Sequence, residues 1–232
     1  MDVVLLRRNP VLPRVVPFGL FMLFVGAEEG SRLLLARGWI DIGEPALVLL
    51  YPVRIAVVFA ALWYFRRLYT EIRLNDLRRL LPTVAACLCG LAVFSLWVRL
   101  EGIFILPPPG YDPGVLGDPA ARMALIATRL CGAVLVVPVM EELFWRSFLV
   151  RYLIDRDFLQ VAIGRFTVSA FVISTVLFAL EHHLLVAGLM AGAAYNLLLL
   201  YTRSLAQCIL AHAVTNLALG LYVLASGNWH FW

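Results

Sequence analysis

Five polar side chains of the kinds that catalyse hydrolysis lie within apolar stretches of the sequence. They are Glu141, Glu142, His182, His212 and Asn216. Carboxylates and imidazoles transfer protons, and side-chain N–H groups stabilise the negative charge that develops on an oxyanion. These residue types therefore predict a general base and a set of hydrogen-bond donors, provided that the fold brings distant segments together.

The first of three clusters surrounds the two glutamates, in residues 138–146. On a helix, Glu142 and Arg146 are four residues apart and share a face, so they can form an ion pair. Glu141 lies about 100° away around the same helix and points elsewhere. One glutamate neutralised by an arginine, beside one without a fixed partner, indicates two roles. The unpaired glutamate is the one suited to general-base catalysis.

The other two clusters repeat the four-residue spacing in later apolar stretches. Phe178 and His182 share one helix face, and His212 and Asn216 share another. A histidine and an asparagine that point the same way are typical of two donors aimed at one spot. The three clusters together predict one composite site built from three helices.

The composition decides what kind of protein can hold such a site. The chain has 232 residues, of which 62% are hydrophobic and 15% charged, and its mean hydropathy is +0.90. Soluble domains are about 45–50% apolar. We therefore predict an all-α, polytopic transmembrane helical bundle of about seven helices, within a range of six to eight. All 19 basic residues are arginine, which excludes a catalytic lysine.

The apolar runs mark the helices that must position the polar side chains. They span residues 15–27, 46–65, 80–98, 123–153, 167–183, 184–201 and 205–225. We assign residues 1–118 to N-terminal membrane helices and loops and residues 119–232 to the catalytic core of a single membrane domain. The Pro- and Gly-rich stretch 106–118 predicts an extramembrane loop. The run 123–153 is too long for one straight crossing, which predicts a break near Pro138.

The arginines predict how the chain is oriented. Cytoplasmic loops of membrane proteins carry an excess of basic residues. With seven crossings and a cytoplasmic N-terminus, twelve arginines fall on the cytoplasmic side and four on the other. We expect an integral protein of a bacterial inner membrane, with its site near mid-membrane and open to the cytoplasmic side. The positive charge is explained by topology, and no nucleic-acid partner is expected.

Several other polar residues have simpler interpretations. The acidic pair at 28–29 is expected at the end of the first helix, and Glu181 is expected to be an interfacial charge at a helix end. Asn196 follows two glycines at helical spacing, which predicts an interhelical hydrogen bond at a close crossing. Arg54 and Arg129 fall inside apolar runs and predict either partners for acids in neighbouring helices or a substrate groove.

The three motifs in this order resemble a known family of membrane proteases. Glu-Glu-x3-Arg ends in Arg146, Phe-x3-His in His182 and His-x3-Asn in Asn216. This arrangement is similar to the CAAX prenyl protease and bacteriocin-processing (CPBP, or Abi) family, and less closely to its exosortase-associated branch. The resemblance covers residues 137–219. The chain departs from the family pattern where Trp145-Arg146-Ser147 replaces Phe-Arg-Gly, and His183 adds a second histidine beside His182.

The resemblance implies an intramembrane endopeptidase of the glutamate type. Glu141 and His182 would activate a water molecule, and His212 and Asn216 would stabilise the oxyanion. Glu142 and Arg146 would support the site, together with Phe178. The expected partners are the lipid bilayer and a membrane protein, or a lipidated or prenylated peptide, as substrate.

Several alternatives remain open at this stage. No cofactor is expected, but zinc is the alternative, with Glu141, His182 and His212 as ligands. A catalytically silent partner of a protein-sorting system is the second functional hypothesis. A transporter or proton relay, or a haem protein ligated by His182 and His212, would belong to other classes; a transporter predicts a repeat symmetry that the sequence lacks.

Overall fold

This computed structural model describes residues 9–103 and 112–232. The predicted loop at 106–118 therefore lies partly outside the described residues. Arg7 and Arg8, two of the twelve arginines predicted to be cytoplasmic, lie outside them as well. Seven helices make up most of the described chain: α1 (Leu12–Ala36), α2 (Glu44–Leu68), α3 (Leu80–Arg99), α4 (Pro119–Ile154), α5 (Val168–Leu180), α6 (Leu185–Thr202) and α7 (Leu205–Ser226). The all-α bundle predicted from the apolar runs is confirmed, and most helix bounds agree with those runs to within a few residues.

Five of the described helices are long and apolar enough to cross a membrane: α2, α3, α4, α6 and α7. Helix α5 has 13 residues, so it is only about 20 Å long and shorter than a bilayer core. Helix α1 has 25 residues and continues through the acidic pair at 28–29 to Ala36, so the expectation that it ends there was wrong. Within α1, Arg32 donates one hydrogen bond to Glu28, four residues earlier, and another to Glu44 at the start of α2. Glu28 is therefore paired inside the bundle although the helix continues past it.

Successive helices run in alternating directions, so the bundle has two ends. At one end, α1 begins and the connection between α2 and α3 packs against the end of α4. There Arg14 donates two hydrogen bonds of 2.7 Å to Glu71, Ser147 donates to the same carboxylate, and Arg151 lies 3.7 Å from it. The connections 69–79, 155–167 and 203–204 meet here. Because these connections contain many of the arginines, we call this the arginine-rich end. The opposite end, which holds the connection 37–43 and the described residues 100–103 and 112–118, is the arginine-poor end.

Small residues bring the helices that carry the motifs into close contact. A Cβ at Gly90 of α3 would collide with the carbonyl oxygen of Ala211 on α7, and one at Gly188 would lie 2.9 Å from Cα of Ala179. Beside this second crossing, Asn196 donates to Ser174 Oγ at 3.0 Å and to Thr175 Oγ1 at 3.1 Å. The predicted interhelical hydrogen bond of Asn196 is confirmed.

Helix α4 contains two wide turns in place of the predicted break. Residues Gly132–Val136 and Leu143–Leu149 are π-helical, and Val137–Glu142 between them is α-helical. The first wide turn directly precedes Pro138, whose ring removes one backbone donor. Widening the turn accommodates the proline without ending the helix, so the expected break near Pro138 was wrong. Such turns are frequent at functional sites, and here they flank both glutamates.

Candidate active site

The centre of the site is a buried ion pair with a histidine attached to it. Glu142 and Arg146 are 0% and 1% exposed, and Arg146 Nη1 donates to Glu142 Oε1 at 3.2 Å. The predicted pairing is thus confirmed. From α7, His212 Nδ1 lies 3.0 Å from the same carboxylate oxygen. A carboxylate has no proton to donate, so His212 is the donor and its Nε2 faces away from Glu142.

The arginine of this pair is held by an aromatic environment as well. Its guanidinium lies 4.5 Å from the ring centroid of Phe178 and 5.4 Å from that of Tyr195. Tyr195 in turn stacks on the imidazole of His212 at 5.0 Å and donates its hydroxyl to Thr215. These contacts fix the rotation of Arg146 and His212 relative to α5 and α6, so the pair is a rigid platform.

Glu141 has the opposite environment from its neighbour. Its carboxylate is buried, yet Oε2 has no hydrogen-bond partner among the described residues. His212 Nε2 lies 4.0 Å from this oxygen. A buried carboxylate oxygen without a partner is costly, so it marks a place where water or substrate binds. Oε2 of Glu142 also lacks a partner, but the other oxygen of Glu142 bonds to Arg146 and His212, and Glu142 does not border the cavity described below. Glu141 does border that cavity, so the two adjacent glutamates differ as the helical spacing predicted.

His182 lies on the turn between α5 and α6 and faces Glu141. Its Nδ1 is 2.8 Å from the carbonyl oxygen of Phe178, and because a carbonyl can only accept, Nδ1 carries the proton. The remaining nitrogen, Nε2, is then an acceptor. The rings of Trp97 and Phe178 pack on the imidazole at 5.3 and 4.7 Å. The neutral ring is thereby held in one orientation with a lone pair available for a proton.

Asn216 lies one turn beyond His212 and borders the same space. Its Nδ2 donates to the carbonyl oxygen of Ala133 at 2.7 Å. An amide nitrogen carries two hydrogens, so one N–H remains for another acceptor. The bond to Ala133 ties α7 to the first wide turn of α4 and fixes the direction of that second N–H.

Glu181 is the site residue that the sequence interpretation missed. It was expected to be an interfacial charge, but it is largely shielded and accepts a hydrogen bond of 3.0 Å from Trp145 Nε1. One ligand atom from each of Glu141, Glu181 and His182 lies within 4.8 Å of the other two. Two carboxylates and one imidazole suit a divalent ion such as zinc. Glu181 thus stands where the predicted ligand set had His212, and its position directly before His182 was the available signal.

A cavity of about 240 Å³ joins these groups. Glu141, His182, His212 and Asn216 all border it, with His183 beside them on the same turn. The cavity wall then continues to two further arginines, Arg54 and Arg129, which places them in a groove as one of the two expectations had it. Arg54 also pairs with Glu28 at 3.5 Å, so the other expectation holds for it as well.

The direction of the cavity differs from the expectation. Along α4 its wall runs from Glu141 back to Arg129, and along α7 it runs from His212 forward to Leu219. Both directions lead to the arginine-poor end, where Trp232 closes part of the rim. The expected opening on the side of the arginine-rich loops was therefore wrong, because the layer around Arg14, Glu71 and Asn196 fills the bundle on that side.

The fold is that of a polytopic helical membrane protein, and its bundle encloses a cavity lined by Glu141, His182, His212 and Asn216. Residues 123–218 match the family described as type II CAAX prenyl endopeptidase Rce1-like. The resemblance that the three motifs indicate is therefore confirmed at the level of this family model, for this part of the chain. All the motif residues from Glu141 to Asn216 lie inside the matched stretch. Comparisons with curated proteins and with solved structures gave no match.

Proposed function

We propose that this protein is an intramembrane endopeptidase that hydrolyses a peptide bond of a membrane-associated substrate with a water molecule activated by Glu141 and His182. The observation that carries the proposal is the unpartnered, buried Oε2 of Glu141, which borders a cavity shared with His182 and His212. A carboxylate and a neutral imidazole at one water molecule are the elements of a general base. The protein sits in a bacterial inner membrane with its N-terminus in the cytoplasm.

The reaction follows the positions of these groups. Glu141 removes a proton from water as the water oxygen bonds to the scissile carbonyl carbon, and His182 Nε2 orients the water by accepting its second hydrogen. The carbonyl electrons move to the oxygen, which accepts hydrogen bonds from His212 and from the free N–H of Asn216. Glu141 then gives its proton to the amide nitrogen, the C–N bond breaks, and an acid and an amine leave.

The hydrogen bonds of the cluster support this division of roles. For His212 to donate to the oxyanion while its Nδ1–H stays on Glu142, both nitrogens of the imidazole must carry a hydrogen. In that state Nδ1–H of His212 remains on Glu142 and Nε2–H points to the cavity. Glu142 and Arg146 therefore act as positioning residues for His212, and Phe178 positions both Arg146 and His182.

Zinc is the alternative to a metal-free mechanism. Glu141, Glu181 and His182 would hold the ion, and a bound zinc ion would activate water as a Lewis acid. The two mechanisms differ in Glu181: Glu181→Gln should leave the metal-free reaction largely intact but should weaken metal binding. We expect purified protein to contain less than stoichiometric zinc by elemental analysis, and cleavage to survive 1,10-phenanthroline. Loss of cleavage that added zinc restores would favour the metal mechanism.

The test of the proposed function compares host membrane proteomes by peptide-terminus profiling. Cells expressing the wild type are compared with cells expressing Glu141→Gln, and Glu29→Gln on exposed helix surface is the matched control. We expect a membrane or lipidated protein to keep its terminal segment in Glu141→Gln cells alone. Identical termini in all three strains, with equal amounts of folded protein, would favour the silent sorting-partner hypothesis over catalysis.

A further inference from the structure

The two ends of the bundle differ strongly in charge. Of the arginines in described connections and helix ends, ten lie at the arginine-rich end: Arg14, Arg66, Arg67, Arg73, Arg78, Arg79, Arg151, Arg156, Arg165 and Arg203. Four lie at the arginine-poor end: Arg32, Arg37, Arg99 and Arg122. Basic residues in short connections mark the cytoplasmic side of a membrane protein. This asymmetry assigns the arginine-rich end to the cytoplasm.

The cavity is closed on that cytoplasmic side. Between the site and the arginine-rich end lie the hydrogen bonds of Asn196 to α5 and then the buried pair of Arg14 with Glu71. Arg14 is 2% exposed and the Glu71 side chain 6%, so this layer is shielded from solvent. A separate cavity of about 460 Å³ that Glu71 and Arg151 border at this end shares no lining residue with the cavity of the site. None of the described residues of the connections 69–79 or 155–167 borders the cavity of the site.

The cavity extends instead toward the opposite end. On α4 its wall reaches from Glu141 to Arg129, twelve residues or about 18 Å along the helix. The rest of the wall in this direction is largely aromatic and aliphatic, with Trp97 from α3, Leu219 from α7 and Trp232 from the C-terminal turn. Such a wall suits an extended peptide with apolar side chains.

We propose that the substrate peptide reaches the site from the non-cytoplasmic face of the membrane. This proposal rests on the proposed function for its chemistry. The class of substrate it defines is a membrane-anchored protein whose cleaved, largely apolar segment lies on the exported side of the bilayer, next to the membrane surface. Segments that remain in the cytoplasm have no direct route to Glu141.

The first experiment measures from which side the cavity is reached. In a variant with its four cysteines replaced by alanine, a single cysteine is introduced at Asp41, Ala133 or Asp155. Asp41 is exposed at the arginine-poor end, Ala133 borders the cavity, and Asp155 is exposed at the arginine-rich end. Intact cells are treated with a small, charged, membrane-impermeant methanethiosulfonate, and permeabilised cells serve as the total-labelling reference.

We expect Asp41→Cys and Ala133→Cys to react in intact cells, and Asp155→Cys to react at least tenfold more slowly until the cells are permeabilised. Two outcomes would overturn the proposal. One is the reverse order, with Asp155→Cys alone labelled in intact cells. The other is an Ala133→Cys that stays unreactive in intact cells while Asp41→Cys reacts, because the cavity then does not open on the exported side.

The second experiment locates the cleaved segments and separates this proposal from the proposed function. In the terminus profiling of wild type against Glu141→Gln, we expect the changed termini to lie in exported segments. Changed termini confined to cytoplasmic segments would preserve the protease function and refute the exported-side route. Unchanged termini would refute the protease function, while the cysteine labelling would still decide which side the cavity faces.

Discussion

The buried pair of Glu142 and Arg146 should be the strongest energetic coupling in the site, and a double-mutant cycle can measure it. At 3.2 Å, with an effective dielectric constant of about 20, the Coulomb attraction is about 5 kcal/mol. Each single substitution, Glu142→Gln or Arg146→Met, leaves a charge buried without its main partner. Such a loss costs about 3–5 kcal/mol. The double variant leaves neither charge, so its loss should be clearly smaller than the sum.

The assay is equilibrium unfolding of the purified protein in mixed micelles, followed by tryptophan fluorescence as the fraction of denaturing detergent increases. We expect both single variants to be less stable and to be recovered in lower yield. The coupling energy should exceed about 2 kcal/mol in favour of the double variant. A sum of single losses equal to the loss of the double variant would contradict the reasoning, since it would mean that the two charges are solvated in the folded protein.

Three further predictions concern a loop charge, a helix crossing and the site. Burial alone would raise the pKa of the Glu71 carboxyl, but the hydrogen bonds from Arg14 have the larger effect and hold this pKa below its usual range. We therefore expect the folded protein to lose stability as the pH falls below about 4. In pH-resolved unfolding, Glu71→Gln should remove this pH dependence of stability. Gly188→Val should cost about 1–3 kcal/mol in thermal unfolding, because a Cβ there lies 2.9 Å from Ala179; an unchanged melting temperature would mean that the crossing is looser. Asn216→Ala should lower the cleavage rate about 100- to 1000-fold with little change in folding, and wild-type kinetics would exclude an oxyanion role.

Spacing within one helix predicted more of the site than any other feature of the sequence. Four-residue intervals correctly paired Glu142 with Arg146 and separated Glu141 from them, because side-chain directions on one helix follow from its period. The bond between Glu142 and His212 was not predicted. It joins residues 70 positions apart, and it depends on the rotation and depth of two helices, which periodicity does not specify.

The features that the sequence did not predict all depend on how helices end or widen. Glu181 was assigned to an interface because it follows an apolar run, whereas the shortness of α5 places that end inside the bundle beside Glu141. The distribution of arginines predicted which end of the bundle is cytoplasmic, but it could not predict toward which end the cavity opens. That depends on packing between helices, which decides where side chains such as Asn196 fill the interior.

The first wide turn of α4 also sets the angular register of the cavity wall. In a regular α-helix, Arg129 and Glu141 are twelve residues apart and would point about 120° away from each other. A π-helical turn absorbs one extra residue, which reduces this angle to about 20° and brings both side chains to one wall. Converting this wide turn to regular α-helix at constant chain length would therefore rotate the outer half of the helix by about 100° and take Arg129 out of the cavity. Deleting one residue from Gly132–Val136 would remove the wide turn but keep the angle between Arg129 and Glu141 at about 20°.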